Sequence, residues 1–457
     1  PAKAKELAAL IARQLAAAPQ GVLPAGADIL ALLVPHAGLE FSGLTAARAY
    51  ALLKKDSFDA VLIVGTCHYK DLEGAALYPG DYGTPEGSLP YDEKLGRSLL
   101  AASPLIKADA AAHTKEHSIE VQVPFLRRTL GRVPLVALVM NTQDLEVSRQ
   151  IGHAIAQAVR GRRVLLIASS DQSHYPSGGV ADAVDRTTLL ALETLEPAYF
   201  WLANRLLMNR GLPHLAVTYC GEGAVTAVLA AARELGATRA RTLLRINSGD
   251  VVSEREYKHV VGYAAVLFTR EAALPRGRPA LGEADKARLL AAARQAVFES
   301  VAGRKLGAAL SAEPMLNLPA AVFVTLRSPD GALRGCLGSM EPQESLLEAV
   351  VRFAGLAATA DKRFKPVVSE EARGLKIEVS LLSPQRLAKP DEIKPGDGVV
   401  VELEGKSGVF LPEVWKTLPR KDDFLGELCE QKAGLARDCW KAPAARLKVF
   451  SADSFAD

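Results

Sequence analysis

Continuous apolar runs and amphipathic stretches alternate through the first 270 or so residues. DILALLV (28–34), DAVLIVG (59–65), VPLVALV (133–139), RVLLIAS (163–169) and RTLLRIN (241–247) are rich in Val, Ile and Leu. They lack the period-2 polar alternation of a half-exposed sheet, which fits strands buried on both faces of a largely parallel sheet. Between them, SGLTAARAYALLKK (42–55) and SRQIGHAIAQAVRG (148–161) carry helical periodicity. The pattern predicts a layered α/β domain.

The pattern changes near EAALPRGRPALGEAD (271–285), which has two prolines and two glycines and follows the apolar run HVVGYAAVLF (259–268). That is a linker signature. The expected domains are 1–273 and 285–457, joined by 274–284. The second half opens with a predicted helix, EADKARLLAAARQAVFESVAG (283–303), and continues in shorter strands. A PDG turn between VFVTLR and LRGCLG predicts a hairpin, and LLEAVVRFAGLAATA (346–360) a further helix. The expectation is a smaller α+β domain.

Composition narrows the function classes. The 457 residues are 49% hydrophobic and 23% charged, which excludes disorder. Lys and Arg number 55 against 52 Asp and Glu, so no electrostatic case exists for nucleic acid or an anionic membrane surface. No run of roughly 18 uncharged apolar residues predicts a membrane span. PAKAKELAALIARQLAAA, with Glu6 and Arg13, predicts an amphipathic helix rather than a signal peptide. Five cysteines at 67, 220, 336, 429 and 439 are too scattered for a disulfide framework, and a reducing cytoplasm is expected. Cys429 and Cys439 receive no role.

In an open parallel sheet, ligands bind outside the carboxyl ends of the strands. Polar residues just after each predicted strand are therefore the candidates. His36 follows 28–34, His68 follows 59–65, and Asp171 and His174 follow 163–169. Cys220 lies in the glycine-punctuated turn YCGEGAV. Neutral imidazole and thiolate are good ligands for first-row metals. His36, His68 and Cys220 make a His2Cys set with a position open for water or substrate. His174 is then free to act as general acid or base, with Asp171 as its orienter or a second polar contact. His117 and Glu120 in HTKEHSIEVQVPFL are the second choice of ligands, three residues apart and on one face if helical. His153, His214 and His259 read as structural. Phe41, Tyr69 and Tyr175 are placed to line a pocket. In the second half, Cys336 between Gly335 and Gly338, with Arg334 before it, is a candidate nucleophile or ligand. The competing reading is a small side chain where two backbones pack closely.

VPHAGLEFSG, GTCHY, EHSIEVQVPFL, SSDQSHY and YCGEGAV, in this order, resemble the Memo family across the first half. That resemblance implies the fold of the class III extradiol ring-cleaving dioxygenases, metal ligands at His36, His68 and Cys220, and His174 at the catalytic histidine position. Those relatives use two histidines and a carboxylate, whereas Cys220 stands in the third place here. A thiolate favours softer metals and can itself be oxidised. Iron(II), copper and zinc all remain in play. RGCLGSM, DKRFKPV and IEVSLLSP resemble the AMMECR family. Both families are parts of the AmmeMemoRadiSam system, which implies a radical S-adenosylmethionine enzyme as partner and a small-molecule substrate. The chain lacks a CxxxCxxC cluster motif, so that chemistry would come from the partner. The expectation is a metal-dependent oxidoreductase. Its rivals are a metal carrier, a protein adaptor and a zinc hydrolase.

Overall fold

The computed structural model describes residues 3–18, 23–24, 26–251, 258–272 and 280–457. It divides into two compact units, Pro1–Pro279 with Leu310–Leu318, and Ala280–Ala309 with Pro319–Asp457. Of the expected linker 274–284, residues 274–279 lie outside the described residues.

The first unit is built on an eight-stranded sheet. Its strands are β1 (Asp28–Val34), β2 (Ala60–Thr66), β3 (Ala75–Tyr78), β6 (Ile106–Ala108), β7 (Leu135–Met140), β8 (Val164–Ser169), β9 (Arg239–Asn247) and β10 (Gly262–Arg270). They lie in the order β6-β3-β7-β2-β8-β1-β10-β9, with a separate small hairpin of β4 (Tyr82–Thr84) and β5 (Gly87–Leu89). The central strands β7, β2, β8 and β1 run parallel. Every residue of β2, β7 and β8 is buried, as their unbroken apolar runs predict. RTLLRIN differs from expectation: β9 is an antiparallel, half-buried edge strand. Its arginines are held at the surface by ion pairs, Arg241 with Glu271 and Arg245 with Asp182.

The helices are α1 (Ala4–Ala17), α2 (Leu39–Tyr50), α3 (Glu93–Ala102), α4 (Val123–Leu130), α5 (Leu145–Val159), α6 (Gly178–Glu193), α7 (Pro197–Asn209), α8 (Glu222–Glu234) and α9 (Ser248–Val251). Side-chain alternation along the strands sorts them into two outer layers. Leu62 and Val64 of β2 pack with Ile151 and Ile155 of α5 and with Val228 of α8. Val61 and Ile63 point the other way, toward Ile11 of α1, Tyr50 of α2 and Phe125 of α4. Each fully buried side chain of this kind contributes roughly 1.5–3 kcal/mol. The predicted amphipathic N-terminal helix is present, burying Leu7 and Ile11. No helix among the described residues is long and apolar enough to cross a membrane.

The second unit opens with α10 (Glu283–Val301). One antiparallel sheet joins β11 (Pro319–Arg327), β12 (Leu333–Gly338), β13 (Glu344–Ser345), β14 (Lys376–Leu382) and β19 (Ala452–Ala456). A four-stranded sheet joins β15 (Arg386–Leu387), β16 (Gly398–Leu403), β17 (Lys406–Phe410) and β18 (Arg446–Phe450). α11 (Leu346–Thr359) starts from a capping box of Ser345 and Glu348; α12 (Ser369–Ala372) and α13 (Lys421–Glu427) complete the helices. The PDG turn joins β11 to β12 as predicted, with Gly331 at φ +90° supplying the left-handed residue.

Cys429 and Cys439 correct the expectation that they have no role. They form a disulfide inside the apolar cluster around Trp415 and Phe424. The turn between them brings their Cα atoms to 6.0 Å, which spacing along the chain could not reveal. Closing this short loop should stabilise the second unit by about 2–3 kcal/mol. Differential scanning calorimetry of the full chain with and without reductant should show one transition falling by several degrees. An unchanged transition after confirmed reduction of both thiols would contradict this.

Candidate metal centre

The loops at the carboxyl ends of β1, β2 and β8 converge on the start of α8. His36, two residues beyond β1, is only 1% exposed. Its backbone N–H and that of Ala37 donate to Asp171 Oδ1 at 2.8 and 3.1 Å, which ties the β1 turn to the β8 loop. The Ser169 hydroxyl donates to the Ser118 carbonyl at 2.6 Å, so Ser169 Oγ accepts from His36 Nδ1 at 3.2 Å. Gln122 braces the same turn, donating to Pro35 O and Ser169 Oγ. This leaves His36 Nε2 as the free ring atom, 3.2 Å from Cys220 Sγ.

His68 follows β2. Its backbone N–H and its Nδ1 both donate to Glu116, at 2.8 and 3.0 Å. Glu116 is 5% exposed and also accepts the backbone N–H groups of His117 and Ser118. Burial alone would raise this carboxyl, but the hydrogen bonds from the His68 side chain and backbone and from the Ser118 backbone hold it at about 2. Glu116 is therefore a carboxylate that orients His68 with Nε2 outward, and nothing in the spacing around it singled it out. Its one sequence signal was an acid lying between His113 and His117.

His117 joins the cluster. Ligand atoms of His36, His68 and His117 all lie within 4.8 Å of one another, as do those of His36, Asp171 and Cys220. The two groups share His36 and can hold a metal ion. Thr114–Gln122 is a turn region ahead of α4, not a helix, so His117 and Glu120 do not share a helical face. Glu120 is exposed and takes no part in either group.

Cys220 stands just before α8. Its sulfur accepts from the Asp171 backbone N–H at 3.3 Å. Although burial pushes the thiol up, the imidazoles of His36, His174 and His68 hold it well below the usual thiol range. Against their own burial penalty, the thiolate and Asp171 raise His36 to about 9. The thiolate and then Glu116 raise His68 to about 10.

His174 is half-buried and pinned by its backbone to Val217 at 3.1 Å, and its Nε2 is buried without a hydrogen-bond partner. Asp171 bonds the His36 turn; among the described residues no hydrogen bond links its carboxylate to His174. Tyr69 and Tyr175, next to His68 and His174, are 64% and 55% exposed, and Phe41 is half-buried.

Cys336 and Arg334 lie in the second unit. Arg334 pairs with Glu371, while the Cys336 sulfur accepts from Thr325 Oγ1 at 3.3 Å. The Cys336 backbone is tied by Asp361 and Arg363 at 2.8 and 2.9 Å. A Cβ at Gly335 would run into the Ala357 carbonyl of α11, and one at Gly338 into the Val322 carbonyl. The two glycines thus serve close packing of β12.

Glu116→Gln should weaken zinc or iron affinity 10–100-fold, the usual cost of losing a partner behind a ligating histidine. Competition against a chelator of known affinity measures this, and a change below about threefold would remove Glu116 from the centre.

The family described as Memo-like protein matches residues 1–267, and that described as AMMECR1 matches 290–455. A MEMO1 family protein of Nitrosopumilus maritimus is 30% identical over 244 residues, covering 52% of this chain and 84% of the relative. One from Methanothermobacter thermautotrophicus is 34% identical over 251 residues, covering 53% and 87%. Among solved structures, uncharacterized protein PH0010 of Pyrococcus horikoshii is 37% identical, covering 37% of this chain and 90% of that one, with a TM-score of 0.35. Uncharacterized protein JW3007 of Escherichia coli K12 is 14% identical, covering 53% and 100%, with a TM-score of 0.39. With more than half of its length matched, the chain belongs to the Memo-like protein family, and an AMMECR1 region follows the Memo-like one.

Proposed function

We propose that the first unit is a mononuclear transition-metal oxidoreductase, with iron(II) as its working ion and copper as the main competitor. The observation that carries this reading is that His36 belongs to two groups able to hold a metal ion at the sheet's carboxyl edge, one with His68 and His117 and one with Asp171 and Cys220, whose sulfur lies 3.2 Å from His36 Nε2. The donor set fits such an ion. Both histidines engage a partner through Nδ1, leaving Nε2 to ligate, and the thiol is held ready as thiolate. An iron(II) ion there would supply one-electron redox chemistry and open positions for a small substrate and dioxygen.

The chain's own groups account for the rest. His174, whose imidazole acts on the Cys220 sulfur and whose Nε2 is buried, would take a proton from a bound substrate and return it. Asp171 holds the His36 turn and the Cys220 sulfur through the contacts of its carboxylate and its backbone N–H. Tyr69 and Tyr175, exposed next to His68 and His174, would meet an arriving substrate. The AMMECR1 region and a radical S-adenosylmethionine partner would act on the same substrate or its product, in the cytoplasm.

A second reading has one observation in its favour. His117 offers a fourth donor beside His36 and His68, and four protein ligands would close the coordination sphere as in a storage site. The His174→Asn variant separates the two readings. As an oxidoreductase, the iron-loaded protein consumes oxygen with a substrate from a metabolite extract, and the variant loses that consumption while its metal affinity stays within about threefold. Tight metal binding with no substrate-dependent oxygen uptake in the unaltered protein would favour the carrier.

A further inference from the structure

We propose that His214 and His259 form a second, surface site for a divalent ion of the zinc, copper(II) or nickel(II) class, separate from the inner centre. The two residues are 45 positions apart, and the fold brings their rings to 4.3 Å between centroids, tilted by 54°. That is closer than any ring pair of the inner cluster, where the centroids lie 4.9–5.4 Å apart. Both side chains are exposed. Other histidines of this unit outside the inner centre have their ring nitrogens engaged, His113 with Tyr82 and the Ala76 carbonyl, His153 with Glu234 and Gln157. Neither His214 nor His259 has a ring hydrogen bond among the described residues.

The backbone presents the pair. His214 sits at φ +61°, a left-handed conformation uncommon for residues other than glycine. The two segments flank the His174 loop on either side through isolated β-bridges. Ala216 N–H donates to the His174 carbonyl at 3.0 Å and His174 N–H to Val217 at 3.1 Å. On the other side Tyr175 N–H donates to Val260 at 2.8 Å and Val260 N–H to Pro176 at 3.0 Å. Two solvent-facing imidazoles without other partners are a bidentate start for an ion that prefers nitrogen ligands, with waters completing its sphere. Magnesium and calcium prefer oxygen and are not expected there. An ion held at this place is borne by the two segments that bond to the backbone at His174 and Tyr175.

Zinc titration of the full chain by calorimetry, with magnesium present as a control, tests the assignment. The unaltered protein should bind two zinc ions, one tight and one weaker. Cys220→Ala should lose the tight ion and keep the weaker one, so the surface site stands or falls independently of the inner reading. His214→Asn with His259→Gln should remove the weaker ion and leave the tight one; asparagine at 214 tolerates the left-handed backbone. Each single variant should weaken the second binding at least tenfold. A second ion that persists in the double variant, or one that never binds to the unaltered protein, overturns the proposal.

Discussion

Cys220→Ala is expected to lower iron(II), copper(I) and zinc affinity by more than 100-fold, and His36→Ala by a similar factor. Loss of an outer partner already costs 10–100-fold, and these residues supply the ligand atoms themselves. Their mutual approach of 3.2 Å makes the two effects far from additive, because His36 lowers the Cys220 thiol while the sulfur raises the His36 proton that an ion must displace. Cys220→Ser should penalise soft copper(I) more than iron(II). Equal affinity in all variants would take both residues out of the centre.

The pH dependence follows from the same charges. In the metal-free protein the Cys220 thiol is held well below its usual range, while His36 and His68 keep their protons to about 9 and 10. An ion must displace those protons, so apparent affinity should rise with pH and level off only above that range. The raised histidines stabilise the metal-free fold fully below their ordinary 6.5, and that contribution is lost as pH climbs through 9 and 10. In Cys220→Ala the thiolate that raises both imidazoles is gone, so the rise in affinity should move to lower pH. Metal titrations across pH 6 to about 10 would read this directly, and a flat profile would sink it.

Asp185→Asn is expected to change the pH dependence of stability more than any substitution outside the centre. Asp185, on α6, is fully buried and accepts the Ser173 backbone N–H at 3.1 Å through Oδ1. Its Oδ2 has no hydrogen-bond partner and lies where a Cβ on Gly262 would stand. Burial, only partly offset by the bond from Ser173, pushes the carboxyl up to about 7. The folded chain therefore holds this proton longer than the unfolded one, and stability falls as pH rises from about 4 through 7. Asparagine keeps an acceptor for Ser173 and removes the ionisation. At pH 8 it should stabilise the fold by an amount on the order of 3–5 kcal/mol, and at pH 4 by little. Urea unfolding at both values decides the matter; an unaltered slope in the variant would show that Asp185 is not the group responsible.

The layered architecture was legible because burial on both faces leaves an unbroken apolar run, as in β2, β7 and β8. The same run-based reading misplaced β9, since an edge strand with antiparallel pairing can carry Leu and Ile while leaving its arginines half-exposed. The strand-end rule located His36, His68, Asp171 and His174, because position after a strand is a local property. Glu116 escaped it. Its role comes from four hydrogen bonds, two of them from His68, 48 residues away, and an acid beside a histidine looks the same whether buried or solvated.

By itself, then, the sequence determined the strand and helix periods, the edge of the sheet where the candidate metal centre lies, and the family. The tertiary structure alone decided which side chains meet. It brought His117 to His36, set Asp171 on the His36 turn, joined Cys429 to Cys439, and paired His214 with His259. Periodicity is written in neighbours a few residues apart, whereas these contacts depend on loop paths between distant segments, and nothing local in the chain encodes such a path.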